Sequence, residues 1–410
     1  MKKFLAVLLA VAMTLALVAC GGSGNNAADN GGSNSANSDN SGNDGAADSG
    51  SEGSGVVTVK IGGIGPQTGD AAIYGLATQR GAEIAVEEIN ALHSDVKLEL
   101  NFQDDTGVAE TAVSAYNTLK DWGAMVIYGC TTTAPCVSVA AETYADRYFE
   151  ITPSASSTDV TAGKDNMFQM CFTDPGQGVT AANYVKDNGL ATKVGVIYNN
   201  GDPYSTGIAQ GFLSEAAAIG LEVVAEQTFP ADTNTDFNVQ ITACKDAGAE
   251  LVFMPIYYTP ASLVLAQANQ MGYDPIFFGG DGMDGILTLE GFDTALAEGL
   301  LLMTPFNATS TEERTASFVS TYEAQYGETP NQFAADGYDC MYAIYEACLQ
   351  IDGLADMDHE ALCDALIGVF TSDSFSVDGL TGNGMTWGAN GEVSKDPMVV
   401  EVVDGAYATK

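Results

Sequence analysis

The sequence predicts an α/β protein built as two doubly wound parallel-sheet lobes joined by a hinge. Short Val/Ile-rich runs alternate with helical-period segments along most of the chain. That is the pattern of parallel strands covered on both faces by helices. The alternation comes as two series, one ending near Asp174 and one starting near Tyr184. About 355 residues lie from Val56 to Lys410, more than a single core ordinarily holds.

Each element has its own signal. Residues 56–61 form a β-branched strand closed by Gly62, and a helix over 72–92 follows. Gly81, Ile84, Ala85 and Ile89 lie on one face of that helix at 3–4 spacing. Next come a strand at 96–103, a helix at 110–122, a strand at 124–128, a helix near 135–147 and a short strand into Thr152. The second series has strands at 193–198, 221–229, 251–256 and 276–279, with helices at 206–219, 237–247 and 261–271 between them. Two further helices are expected at 311–326 and 331–349, with Asn331 as a cap. Lobe 1 is expected over 56–174 plus about 304–378, and lobe 2 over 175–303 plus about 379–405.

The N-terminal segment differs in kind. Lys2 and Lys3 precede about fifteen largely apolar residues, which end in Leu17-Val18-Ala19-Cys20. A charged start, an apolar core of this length and a small-residue box read as a signal peptide. The box resembles a bacterial lipoprotein signal, which implies lipidation of Cys20, palmitate included. Residues 21–55 are almost entirely Gly, Ser, Asn, Asp and Ala. Such a segment cannot bury enough apolar surface to fold, and as a flexible linker it spans roughly 30–35 Å.

Composition narrows the partners. There are 54 acidic and 14 basic residues, a net charge of −40, which opposes binding to nucleic acid or to an anionic lipid surface. Only His93 and His359 are present, and there is no Cys-x-x-Cys, so neither metal nor cofactor is expected. Beyond Cys20 stand seven cysteines, Cys130, Cys136, Cys171, Cys244, Cys340, Cys348 and Cys363, an odd number that leaves at least one unpaired or paired between molecules. Cys130 with Cys136 and Cys348 with Cys363 are candidate pairs. Packing as small buried hydrophobes is the favoured reading.

Ligands of open α/β sheets bind beyond the carboxyl ends of the strands. After the first strand, Gly63-x-Gly65 has the start of a dinucleotide loop, but Thr68 stands where its third glycine belongs and Pro66 interrupts it. A close backbone turn is expected there instead, with Tyr74 projecting into a cleft. After the third strand, Gly129-Cys130-Thr131-Thr132-Thr133-Ala134-Pro135 opens a helix, with Thr133 as a candidate cap. A hydroxyl-rich helix start offers free N–H groups and suits a carboxylate. The run 153–158 repeats the device on the next strand.

Residues 61–92, with Gly-Pro-Gln-Thr-Gly at 65–69, Tyr74-Gly75 and the helix to Ala91, closely resemble the opening of type I substrate-binding proteins of branched-chain amino acid ABC importers. The runs at 152–157, 202–207, 279–282 and 335–339 resemble later features of that family in the right order. The resemblance implies a type I periplasmic-binding-protein fold, a bilobed clamp closing on an amino acid. By it, Thr131 and Thr132 hold the α-carboxylate, while Ser154, Ala155 and Ser156 help with both α-groups. Tyr204 closes from the second lobe with Tyr257 or Tyr258, Asp281 pairs with the α-ammonium, and Tyr74 lines the side-chain pocket. Gln67 replaces the family's usual Leu, and Ser154 and Ser156 make their strand end more hydroxylic, so the side chain of the ligand stays open. The implied partners are a small amino acid-like ligand, ABC permease subunits and the membrane through the lipid; the protein itself is expected to be a monomer without enzymatic activity. Its expected place is outside a bacterial cell membrane of the Gram-positive type. A sensor of the same fold and an α/β hydrolase are the alternatives. The hydrolase lacks a Gly-x-Ser-x-Gly elbow and a His-Glu-x-x-His pair.

Overall fold

The computed structural model describes residues 55–230 and 235–409. The expected signal segment with Cys20, and all of the expected linker but Gly55, lie outside them.

The first half alternates as expected from periodicity: β1 (Val57–Gly65), α1 (Ala72–Ala91), β2 (Val96–Asp104), α2 (Ala109–Trp122), β3 (Val126–Gly129), α3 (Thr133–Asp146) and β4 (Phe149–Thr152). A short α4 (Thr158–Thr161) leads to β5 (Met167–Gln169) and α5 (Asp174–Asp187). The second series holds β6 (Lys193–Asn199), α6 (Pro203–Ile219), β7 (Glu222–Phe229), α7 (Asn238–Asp246), β8 (Leu251–Met254), α8 (Tyr258–Gln270), β9 (Ile276–Gly279) and β10 (Leu301–Thr304). The chain ends with α9 (Glu313–Tyr326), α10 (Gln332–Cys348), α11 (His359–Phe370), β11 (Met398–Val403) and β12 (Ala406–Thr409).

β1 to β5 form a parallel sheet in the order β2-β1-β3-β4-β5. Ile64 pairs with Gly129 and Gly65 with Asp104, so β1, β2 and β3 end level at one edge. The second sheet has the order β12-β11-β10-β9-β8-β6-β7. Its β6 to β10 are parallel, while β11 and β12 add an antiparallel hairpin at the edge. Val59, Ile61, Ile64, Val126, Phe149 and Ile151 are fully buried on both faces of the first sheet. This is why those strands are continuous apolar runs.

Several elements were not anticipated. The first five residues of α5 include Pro175, Gly176 and Gly178, which masks its helical signal. Gly178 is needed because α5 lies on α6: a Cβ there would stand 2.3 Å from the Ile208 carbonyl oxygen and 2.4 Å from the Phe212 nitrogen. The strands β5, β10 and β12 are too short for periodicity to identify. Neither α11 nor β11 was foreseen.

After β10 the chain returns to the first sheet's side. There α10 runs along α1, and α11 packs on β4. Residues 371–397 then run as a strap with two isolated bridges, Val377 to Met385 and Trp387 to Val393. Trp387 Nε1 donates to the Gln169 carbonyl (2.8 Å), and the Gln169 amide donates to the Gly391 carbonyl (2.9 Å). The strap therefore covers the free edge of β5. Leu380, Thr381 and Lys395 of the strap bond to α10 before β11 joins the second sheet.

All seven described cysteines are buried with free thiols, so neither candidate pair is bridged. Among the described residues no helix is long and apolar enough to cross a membrane.

Candidate functional site

The carboxyl ends of β3 and β4 build one wall of a cleft. Thr131 sits directly over β1, because Gly65 leaves it room: a Cβ on Gly65 would lie 2.3 Å from Thr131 Oγ1. Its hydroxyl meets that of Thr78 on α1 at 3.0 Å. Thr132, not Thr133, occupies the cap position of α3, with extended backbone and no capping bond from its side chain. Its Oγ1 is buried without a partner in the protein. The Thr132 hydroxyl therefore does not serve as a cap, and it stands at a helix N-terminus where free N–H groups attract an anion.

Thr152, at the end of β4, shapes the next loop. Its Oγ1 donates to the Cys130 carbonyl (2.7 Å) and accepts from the Ala155 amide (2.9 Å). Ser154 Oγ donates to the Thr131 carbonyl (2.6 Å), which locks the two loops together. Ala155 is fully buried in an apolar cluster under this edge and takes no part in the cleft surface. Ser156 is fully buried behind it, with its hydroxyl beside the Asp174 carboxylate. The neighbouring Asp174, at the start of α5, is also fully buried, and the Ser156 hydroxyl beside it acts to lower its carboxyl. Burial pushes its carboxyl well above the usual carboxylate range, and the charges of Asp281 and Asp202 push the same way.

The opposite wall centres on Asp281, which follows β9 and is 3% exposed. It is not a surface turn acid. Its Oδ1 accepts from Tyr204 Oη (2.8 Å) and Gln177 Nε2 (2.9 Å), its amide donates to Gln177 Oε1 (3.0 Å), and its carbonyl accepts from Gln332 Nε2 (2.7 Å). Burial raises its carboxyl to about 6, against the lowering effect of the Gln177 and Tyr204 bonds. Tyr257 stacks on Tyr204 with ring centroids 4.8 Å apart.

Tyr74 joins the two walls. It is 1% exposed, donates from Oη to the Gly282 carbonyl, and accepts from the Tyr258 amide (3.2 Å). Beside it, the Ile73 amide donates to Tyr258 Oη (3.4 Å), and Thr259 Oγ1 donates to the Asp70 carbonyl (3.1 Å). The start of α1 is thus docked on the start of α8, and the lobes are closed on each other.

Between the walls lies an inner cavity of about 10 Å³. Tyr74, Thr131, Thr132 and Ser154 line it from the first lobe, and Tyr204, Tyr257 and Asp281 from the second. Ala155, Ser156 and Tyr258 do not line it. The question of Tyr257 or Tyr258 is answered by position: Tyr257 faces the cavity, and Tyr258 contributes its amide and hydroxyl to the seam. Phe333, from α10, also lines the cavity and was not anticipated. Nor were Gln177 and Gln332, which hold Asp281. All three lie on helices, where nothing local marks them as cleft residues. A larger outer chamber of about 510 Å³ shares Thr132 and Tyr257 as walls.

The closed cavity has room for about one water, so a small ligand with separated charges would enter with the lobes apart. An anion fits the α3 start, and a cation fits Asp281 across the cavity. Closure then gains contacts from both lobes.

Known proteins share this sequence pattern and fold. A Leu/Ile/Val-binding protein homolog of Brucella melitensis is 34% identical over 229 residues, 55% of this chain and 61% of the relative. The match thus spans about three-fifths of that relative's length. The leucine-, isoleucine-, valine-, threonine- and alanine-binding protein of Pseudomonas aeruginosa is 27% identical over 75% of this chain and 82% of its own. Among solved structures, the branched-chain amino acid transporter substrate binding protein LivJ of Streptococcus pneumoniae, in complex with isoleucine, superposes with a TM-score of 0.77. It is 28% identical and covers 86% of this chain and 98% of its own. The model of a family described as periplasmic binding protein matches residues 58–406, and the chain belongs to that family.

Proposed function

We propose that this protein is an extracytoplasmic solute-binding lipoprotein that closes on an amino acid and delivers it to the permease of an ABC importer. One observation carries the reading. An unpartnered hydroxyl at a helix N-terminus, Thr132, and a buried carboxylate, Asp281, face one cavity from two different lobes. A zwitterion needs both, and only the closed clamp supplies both. The ligand therefore has the differential affinity that a closing equilibrium requires. The names of the relatives support amino acids as the ligand class.

In this reading Thr131 and Thr132 receive the carboxylate, Ser154 fixes their loop through the Thr131 carbonyl, and Asp281 receives the ammonium. Tyr204 and Tyr257 close over the ligand, and Tyr74 and Phe333 bound the side-chain space. Cys20 carries the lipid, and residues 21–55 tether the clamp near its permease, which raises its effective concentration there. The tethered form suits a bacterium without an outer membrane.

Isothermal titration of the twenty amino acids tests the ligand class. At least one should bind, and binding at 100 times Kd should raise stability by about 2.7 kcal/mol. Failure of every amino acid would remove the reading. Replacing Cys20→Ser in cells should move the protein into the medium with binding intact.

A further inference from the structure

The turn that carries Asp281 runs from Asp281 to Asp284, directly after β9. The Asp284 amide donates to the Asp281 carbonyl (2.9 Å) and the Met283 amide to that of Gly280 (3.2 Å), which closes a 3-10 turn. Within the second lobe, Gln177 bonds Asp281 twice, and Tyr204 Oη accepts from the Gly282 amide (2.8 Å). From the first lobe, a single residue reaches both ends of the turn. Gln332 Nε2 donates to the Asp281 carbonyl (2.7 Å), and the Gln332 amide donates to Asp284 Oδ2 (2.9 Å). Between these two bonds, Tyr74 Oη reaches the Gly282 carbonyl. Gln332 opens α10, and the first amides of a helix have no partner within it. The Asn331 side chain takes the Ala334 amide (3.3 Å), which leaves the Gln332 amide for Asp284, an acid that suits a helix start. Gln332, Asp281 and Asp284 are all buried.

We propose that Gln332 is a positioning residue that couples recognition of the ligand's ammonium to closure of the lobes, by tying the first lobe to the turn that carries Asp281. The inference rests on the amino acid reading above and deepens it. Gln332 does not line the inner cavity and acts through Asp281. A carboxylate that meets an ammonium has to be held in place by its own neighbours. Tyr204 and Gln177 both donate to Asp281 Oδ1 and fix the side chain from within the second lobe. Gln332 fixes the main chain of the same residue, and it can do so only when the lobes meet. The closed form therefore presents Asp281 better than the open form does. By reciprocity, an ammonium at Asp281 favours the closed form by the same factor. A ligand shifts a hinge equilibrium only through such a difference. Phe333, the next residue of α10, lines the cavity, so the start of this helix meets the ligand space and the turn together.

The test is a double-mutant cycle read by isothermal titration, with the amino acid that binds wild type most tightly of the twenty as the probe. Gln332→Met keeps the length of the side chain and the amide of the helix start, but it cannot donate to the Asp281 carbonyl. In the wild-type background it should weaken binding about tenfold, mainly through faster dissociation. In the Asp281→Asn background no charge remains to be positioned, and the same change should weaken binding by about twofold or less. Circular dichroism and thermal melting establish that each variant folds. Gln332→Asn, whose amide falls one methylene short of the carbonyl, completes the same cycle if Gln332→Met does not fold. Equal losses in the two backgrounds would mean that Gln332 supports closure without regard to Asp281, and would overturn the proposal. No loss in either background would overturn it as well. Both results leave the amino acid reading in place, whereas binding by no amino acid would end both.

Discussion

Asp281 shows how a side chain acquires its role from its neighbours. Burial alone would neutralise its carboxyl, but Tyr204 and Gln177 donate to it and hold its value to about 6. Near neutral pH it is therefore mostly charged and ready for an ammonium. Asp281→Asn keeps the hydrogen-bond acceptor and removes the charge. It should weaken amino acid binding by about 2 kcal/mol or more, measured by titration calorimetry, with the fold intact by circular dichroism. Glu150 on β4 is the opposite case. It is fully buried, accepts from Thr143 Oγ1 at 2.5 Å, and burial raises its carboxyl to about 8 from an ordinary 4.5. Between those values the folded state binds the proton and the unfolded state does not. Its contribution to stability therefore falls as pH rises from about 4.5 to about 8 and is level above that. Glu150→Gln should abolish that slope, so the variant should gain in Tm over wild type at pH 8 and lose the gain at pH 4.5. Equal Tm differences at both values would refute the assignment.

Among the elements, the strap at 371–397 does the most with the least regular structure. Asp339 on α10 accepts from the Leu380 amide (2.7 Å), the Thr381 amide (2.9 Å) and Thr381 Oγ1 (2.6 Å). One turn earlier, Asp336 meets Lys395 at 2.9 Å, both side chains almost wholly buried. A buried pair is weak evidence of net stabilisation, yet breaking it leaves a stranded charge. Lys395→Met should cost about 3–5 kcal/mol in chemical denaturation, and adding Asp336→Leu should recover much of that. No recovery would mean that Lys395 acts through packing alone. Nothing in the local sequence marks this strap. Its partners are Gln169, Asp336 and Asp339, all distant in the chain, and it has neither helical nor alternating period. The helices and strands that do carry a period were legible, α1, α2, α3 and β8 among them. By contrast α5 was hidden by the glycine and proline residues that let it approach α6.

At the scale of the whole molecule, closure is held by a seam as well as by the cleft. Tyr74 Oη reaches the Gly282 carbonyl and receives the Tyr258 amide, two separate parts of the second lobe. Tyr74→Phe keeps the ring and removes both bonds. It should destabilise the closed form by about 1–2 kcal/mol, raising the ligand dissociation rate several-fold while association changes little. Stopped-flow kinetics would show this, and an unchanged dissociation rate would exclude the seam as a determinant of closure.

The sequence by itself determined the strand ends, because β-branched runs and hydroxyl-rich helix starts are local signals. The hydroxyl-rich helix start pointed to Thr131 and Thr132, whereas Asp281 came only from the family resemblance. Only the tertiary structure decided which neighbours reach the cavity. Tyr257 lines it and Tyr258 does not, although they are adjacent; Ser154 lines it, while Ala155 and Ser156 lie beneath. Phe333, Gln177 and Gln332 arrive from helices whose own patterns record only burial. The reason is physical: a cavity between two lobes is made by contacts between residues as much as two hundred positions apart, such as Tyr74 and Gly282, and local periodicity carries no information about them.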